Sequence, residues 1–127
     1  MAISASVIFC DDIRVEANGK PILIGVYPTN LVPGALPQAM SLSIWVRLRG
    51  VAPGAHMVHF TIGANGVTQF EGQAPLVVQE SAPDAYLSLI ALPVQLNDYG
   101  RITFSLSGLP EGETLHDELP VVPPPSA

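Results

Sequence analysis

The residues best equipped for chemistry crowd the start of the chain, where Cys10, Asp11, Asp12, Arg14 and Glu16 stand almost side by side. Two adjacent carboxylates with a third four positions on suggest a hard cation such as Ca²⁺, which takes several carboxylate oxygens. The spacing lacks the alternating acids and central glycine of a calcium-binding loop. Arg14 and Lys20 are also close enough to neutralise the group, so a solvated or salt-bridged turn is the favoured reading. Cys10 is poorly placed for a nucleophile, because a thiolate needs a neighbouring cation or a helix N-terminus and carboxylates oppose it. A buried structural thiol fits its surroundings better.

The remaining candidates are scattered. His56 and His59 are three apart, a spacing that could share a metal on a helix but sends the two rings to opposite faces of a strand. His116 lies among Glu113, Asp117 and Glu118 and reads as an exposed histidine. No GxSxG, HExxH, phosphate-binding glycine loop, GxGxxG or paired CxxC occurs. These observations lead to the expectation of a non-catalytic protein with no cofactor and no metal site. An enzyme would have to gather Asp11, Asp12, Glu16 or a histidine in one cleft. The strongest surface candidates for binding a partner are Trp45, Arg47 and Arg49, which alternate along one stretch and belong to the residue types that dominate binding hot spots. The opposing reading is that a loop of the same chain, such as Pro28 to Gln38, covers Trp45.

Composition sets the frame that must position these residues. The chain has 127 residues, 48% of them apolar and only 13% charged, enough for one domain with a real core. Five bases against eleven acids give a net charge of −6, which argues against nucleic acid, whose phosphates need clustered Lys and Arg. No apolar run approaches the roughly 18 residues of a membrane-spanning helix, so no membrane partner is expected. The opening MAISASVIFCDD has no basic n-region, so no signal peptide is expected, and the location is taken as cytoplasmic or virion-associated. One cysteine leaves no internal disulfide. So little charge to cover the surface suits a protein partly buried against a protein partner, either a larger assembly or further copies of itself.

Thirteen prolines and eleven glycines leave little room for long helices. Residues 2–10 alternate as a strand, with Ile3, Ala5, Val7 and Phe9 on one side. Asn18-Gly19 signals a type I′ hairpin turn, followed by Ile22, Leu23, Ile24, Val26 and Tyr27 as a largely buried strand. Gly25 marks a bulge or a close approach. Phe9, Ile22, Ile24 and Val26 are expected in the core, with Asp11, Asp12, Arg14, Glu16 and Lys20 forming a charged network around the turn. Pro28 to Gln38 reads as a loop crossing between sheets. In Met40 to Arg49, Leu42, Ile44, Val46 and Leu48 share one face and Ser43, Trp45, Arg47 and Arg49 the other. His56 to Ile62 and Val67 to Gln73 flank a second hairpin signal, Asn65-Gly66. Pro75 to Glu80 reads as a separate short strand, and Ser81 to Asp84 as a break. Ala85 to Leu92 is open between helix and strand, with strand favoured. Asn97 to Gly100 is read as a hairpin-like turn before Ile102, Phe104 and Leu106. Leu119 to Val122 adds an edge strand, so residues 1–122 form the domain and 123–127 a polyproline II tail.

The stretch Phe9–Tyr27 resembles a family of small uncharacterised bacterial proteins, also at home in phage genomes, that open with FCDDxRxExxGKxxxIGVY. Phe9, Cys10, Asp11, Asp12, Arg14, Glu16, Gly19, Lys20, Ile24, Gly25, Val26 and Tyr27 carry the likeness, which covers the first fifth of the chain. Gly100, Ile102 and Phe104 resemble a late strand of bacterial immunoglobulin-like sandwiches. The resemblance implies a fold and transfers no site. Together with turns every eight to twelve residues or so, it leads to an all-β, single immunoglobulin-like antiparallel sandwich of about seven to nine short strands. The expected function is a non-catalytic structural or interaction module, a decoration-type phage or prophage virion component. The alternative is a small-ligand or carbohydrate-binding sandwich with Trp45 or Tyr86 beside carboxylates in a concave pocket.

Overall fold

The computed structural model describes residues 3–81 and 84–125. Eight strands follow one another: β1 (Ser4–Val15), β2 (Pro21–Val26), β3 (Gln38–Arg49), β4 (Gly54–Ala64), β5 (Val67–Val78), β6 (Ala85–Leu96), β7 (Gly100–Ser107) and β8 (Leu115–Val121), with one turn of 3₁₀ helix at Pro110–Gly112. They form two four-stranded antiparallel sheets, ordered β2-β1-β3-β6 and β5-β4-β7-β8. The chain passes between the sheets after β3, β5 and β6, the interlocked connectivity of immunoglobulin-type sandwiches. The β1–β2 hairpin extends that frame at one edge.

Alternation builds the core. Leu42, Ile44, Val46 and Leu48 of β3 meet Val58, Phe60 and Ile62 of β4 and Ile102, Phe104 and Leu106 of β7, and all are buried. Each such side chain removed from water contributes about 1.5–3 kcal/mol of transfer free energy. Two devices close the open sides of the sandwich. Gln69 on β5 clasps the backbone of Gln95 on β6, accepting from its N–H at 2.7 Å and donating to its carbonyl at 2.8 Å. On the other side Leu31 lies along β8, its N–H donating to the Pro120 carbonyl and its own carbonyl accepting from Val122 N–H.

Several expectations are corrected by this arrangement. Ile22, Ile24 and Val26 are 43%, 44% and 46% exposed, not core. They pair with Arg14, Asp12 and Cys10, a register that places them on the outer face of an edge strand; only Phe9 of the expected set is buried in the core. Pro75 and Pro93 do not end strands. Both lie in outer strands, opposite Met57 and Ser41, where a missing N–H breaks no ladder on the free side. Val67–Val78 and Ala85–Leu96 are therefore single long strands. Asn97 to Gly100 connects the two sheets and is no hairpin, while Pro28 to Gln38 leaves and rejoins the same sheet, passing β8 on the way. The last strand begins at Leu115, four residues earlier than expected. Of the break expected at 81–84, Ala82 and Pro83 lie outside the described residues.

The two asparagine-glycine turns differ. At Asn65-Gly66 both residues take positive φ, 50° and 84°, and Ala64 pairs with Val67, as a type I′ hairpin requires. At the first turn only Gly19 does so, at 88°. Gly19 N–H donates to the Glu16 carbonyl and Glu16 N–H to the Lys20 carbonyl, which makes a three-residue loop. Gly25 is the more constrained glycine: its φ is 68°, and a Cβ there would run into the Asp11 carboxylate. Nothing lies within 4 Å of a Cβ added at Gly19. Gly19→Ala is expected to cost about 1 kcal/mol of left-handed strain, and Gly25→Ala about 2–4 kcal/mol because overpacking is added to the strain. Urea denaturation of the two variants checks this ordering; equal midpoints contradict it.

Candidate functional site

Because β3 lies between β1 and β6, its outward residues are flanked on both sides. Ser4 pairs with Arg49, Ser6 with Arg47 and Ile8 with Trp45 on the β1 side. Tyr86 pairs with Arg47 and Ser88 with Trp45 on the β6 side. Cross-strand partners share a face, so these side chains form one surface on the outside of the first sheet. The Trp45 and Tyr86 rings lie 6.1 Å apart, tilted by 31°. Arg47 Nη2 stands 3.0 Å and Arg49 Nε 3.6 Å from the same oxygen, Asp84 Oδ2. A shallow hollow of about 270 Å³ is lined by Trp45, Arg47, Asp84, Ala85 and Tyr86. A smaller one, bounded by Ser4, Ala5, Ser6, Arg47 and Arg49, adjoins it across Arg47. The indole Nε1–H of Trp45 is buried and has no acceptor among the described residues.

The structure thus brings together all three residues singled out in the sequence and adds Asp84 and Tyr86. In the sequence Tyr86 stands out only as an aromatic alternative, and Asp84 falls in an expected break. Their place follows from β6 pairing beside β3, which no local pattern announces. The same face continues away from the arginines through Ile8, Cys10 and Ser43. Ser43 is fully buried although it points outward. The reason is a bulge opposite it, where Ala91 takes φ 58° and donates its N–H to Ser43 Oγ. Beyond lie Ile22, Ile24 and Val26 of β2 and Ile90 of β6, all part-exposed. A larger hollow of about 430 Å³ on β3 and β6, near Met40, Gln69 and Val94, contains no ionisable side chain.

The acidic opening resolves into separate pairs rather than one network. Arg14 Nε donates to Asp12 Oδ2 at 2.7 Å, Lys20 Nζ lies 3.3 Å from Glu16, and Asp11 accepts the Tyr27 hydroxyl. The Arg14 bond, helped by Ile13 N–H, holds the Asp12 carboxyl below its usual range. Burial, then the charges of Asp11 and Asp12, push the Cys10 thiol up, away from the reactive thiolate. His56 Nε2 contacts the Ala52 carbonyl at 2.8 Å, while His116 bridges Ser105 and Glu118 on the second sheet. Among the described residues no three side chains of His, Cys, Asp and Glu come together as a metal site would require, and no helix is long and apolar enough to cross a membrane. No protein-family model matches the chain, and no curated protein matches it.

Tyr27 carries a pH dependence. Burial first, and its hydrogen bond to Asp11 second, push its hydroxyl up to about 12. The folded state therefore keeps a proton that the unfolded chain loses from its ordinary value of 10.0 upward. That contribution is full below pH 10 or so and is lost as the pH rises through about 12. Tyr27→Phe is expected to lose less stability than the parent between pH 9 and pH 11.5, read from urea midpoints; equal losses count against this role.

Proposed function

We propose that this chain is a non-catalytic interaction module that docks on a larger protein assembly through the outer face of the β2-β1-β3-β6 sheet. The observation that carries the proposal is the composition of that face. Ile22, Ile24, Val26, Tyr86 and Ile90 are each between 43% and 50% exposed, and half-buried Ile8 and Trp45 lie between them. Ile22 and Ile24 stand beside the Asp12–Arg14 pair of β1, and exposed apolar side chains gathered on one face in this way mark interaction sites. Trp, Tyr and Arg at one end supply the residue types that contribute most to protein–protein affinity. The likeness of Phe9–Tyr27 to a family found in bacteria and phage genomes supports a virion surface as the assembly, with this chain as a decoration-type component.

A second reading has its own support. Trp45 and Tyr86 beside Asp84 and Arg47 offer an aromatic wall with polar groups at its rim, which suits a sugar ring or another small ligand. Sedimentation from the native source separates the two. The parent is expected in a high-mass particle, and Trp45→Ala with Tyr86→Ala in the free fraction, both folded by circular dichroism. A parent found only as free chain overturns the docking proposal. In that event, saturable quenching of Trp45, the sole tryptophan, by a neutral oligosaccharide would favour the second reading.

A further inference from the structure

We infer that the Arg47–Arg49 end of this face is a carboxylate-recognition site, occupied in the complex by an Asp or Glu side chain of a protein partner, with Asp84 holding that place in the free chain. The inference rests on the docking reading above and names what the docking face reads.

Cation accounting is the first support. Arg14 has Asp12 at 2.7 Å, Lys20 has Glu16 at 3.3 Å and Arg101 has Glu118, so each has its own carboxylate. Arg47 and Arg49 divide a single oxygen of Asp84 between them. In a chain of net charge −6, this is the one place among the described residues where paired positive charge exceeds negative. The excess is one unit. That is enough for a carboxylate and too little for a polyphosphate backbone, which the remaining acids repel.

Donor geometry is the second support. A guanidinium offers five N–H donors in a fixed fork, yet Arg47 hydrogen-bonds Asp84 through Nη2 and Arg49 stands off from it at 3.6 Å. Their side chains stay 44% and 59% exposed, and the hollow between them and the hydroxyls of Ser4 and Ser6 is open to an incoming anion. On the far side of Arg47 the Trp45–Tyr86 pair gives the partner's adjoining chain an apolar bed. The Asp84 pairing is half exposed, so exchanging it for a partner carboxylate costs about one surface ion pair, 0–1 kcal/mol. Paired in the new site, the carboxylate accepts from both forks with the apolar face shielding it from water.

The test uses the purified full chain at low ionic strength, with Trp45 emission reporting binding of a blocked Gly-Glu-Glu-Gly peptide. Its Gly-Gln-Gln-Gly counterpart and free glucuronate are run alongside. The Glu peptide is expected to saturate the signal, to lose affinity with added salt, and to bind at least about fivefold more weakly to Arg49→Gln. Asp84→Asn removes the resident competitor and is expected to tighten binding by about fivefold. Asp84→Asn binding weaker than or equal to the parent, equal binding of the Gln peptide, saturation by glucuronate alone, or no response to the Glu peptide each overturns the inference. If the peptide arms fail while the parent still sediments with its particle through Trp45 and Tyr86, the carboxylate reading falls alone and the docking reading stands.

Discussion

Leu42, Ile44, Val46 and Leu48 are completely shielded from water, and their burial fixes which way every other residue of β3 points. A strand has a period of two, so sliding β3 by one position would bring Trp45, Arg47 and Arg49 inside and turn four aliphatic side chains out. At about 1.5–3 kcal/mol for each displaced side chain, the four together cost about as much as the whole stability of a small domain. Core and surface site are thus two consequences of one register. β1 and β6 inherit it through their ladders, which is how Ser4 and Ser6 on one side and Tyr86 on the other reach the arginines.

Where one face is buried and the other wet, the chain states its structure in its own pattern. β3, β4 and β7 alternate cleanly, and their core residues, the outward position of Trp45, Arg47 and Arg49, and the Asn65-Gly66 hairpin are legible from residue order alone. β2 is not. PILIGV is apolar at nearly every position, and an apolar run gives no sign of which face is buried or whether either is. Only the pairing of Ile22, Ile24 and Val26 with Arg14, Asp12 and Cys10 settles it. Prolines mislead for a related reason: a proline ends a central strand but is tolerated in an outer one, and which strands are outer is a property of the whole sheet.

The site is half legible on the same logic. Trp45, Arg47 and Arg49 lie on one strand, two positions apart. Asp84 and Tyr86 join them from more than thirty residues away, through a strand whose neighbour the sequence does not name. Ser43 shows the opposite error: it looks outward by alternation, yet it is fully buried, with the Ala91 bulge donating its N–H to its hydroxyl. Cys10, read as a buried thiol, is buried, with Val26 paired across from it. Local chemistry alone overrates the acidic opening, whose carboxylates the fold divides among Tyr27, Arg14 and Lys20.

The outer strand β2 combines apolar side chains with a free backbone edge, ordinarily a template for further chains. Pro21 at its start has no N–H to offer, and Gly25, with φ at 68°, turns its peptide groups out of line with the ladder. Only Ile22 to Ile24 remains as regular edge, too short to hold an added strand. The β2 edge therefore offers a second molecule almost no regular backbone to pair with, and the first sheet does not extend by strand addition on that side.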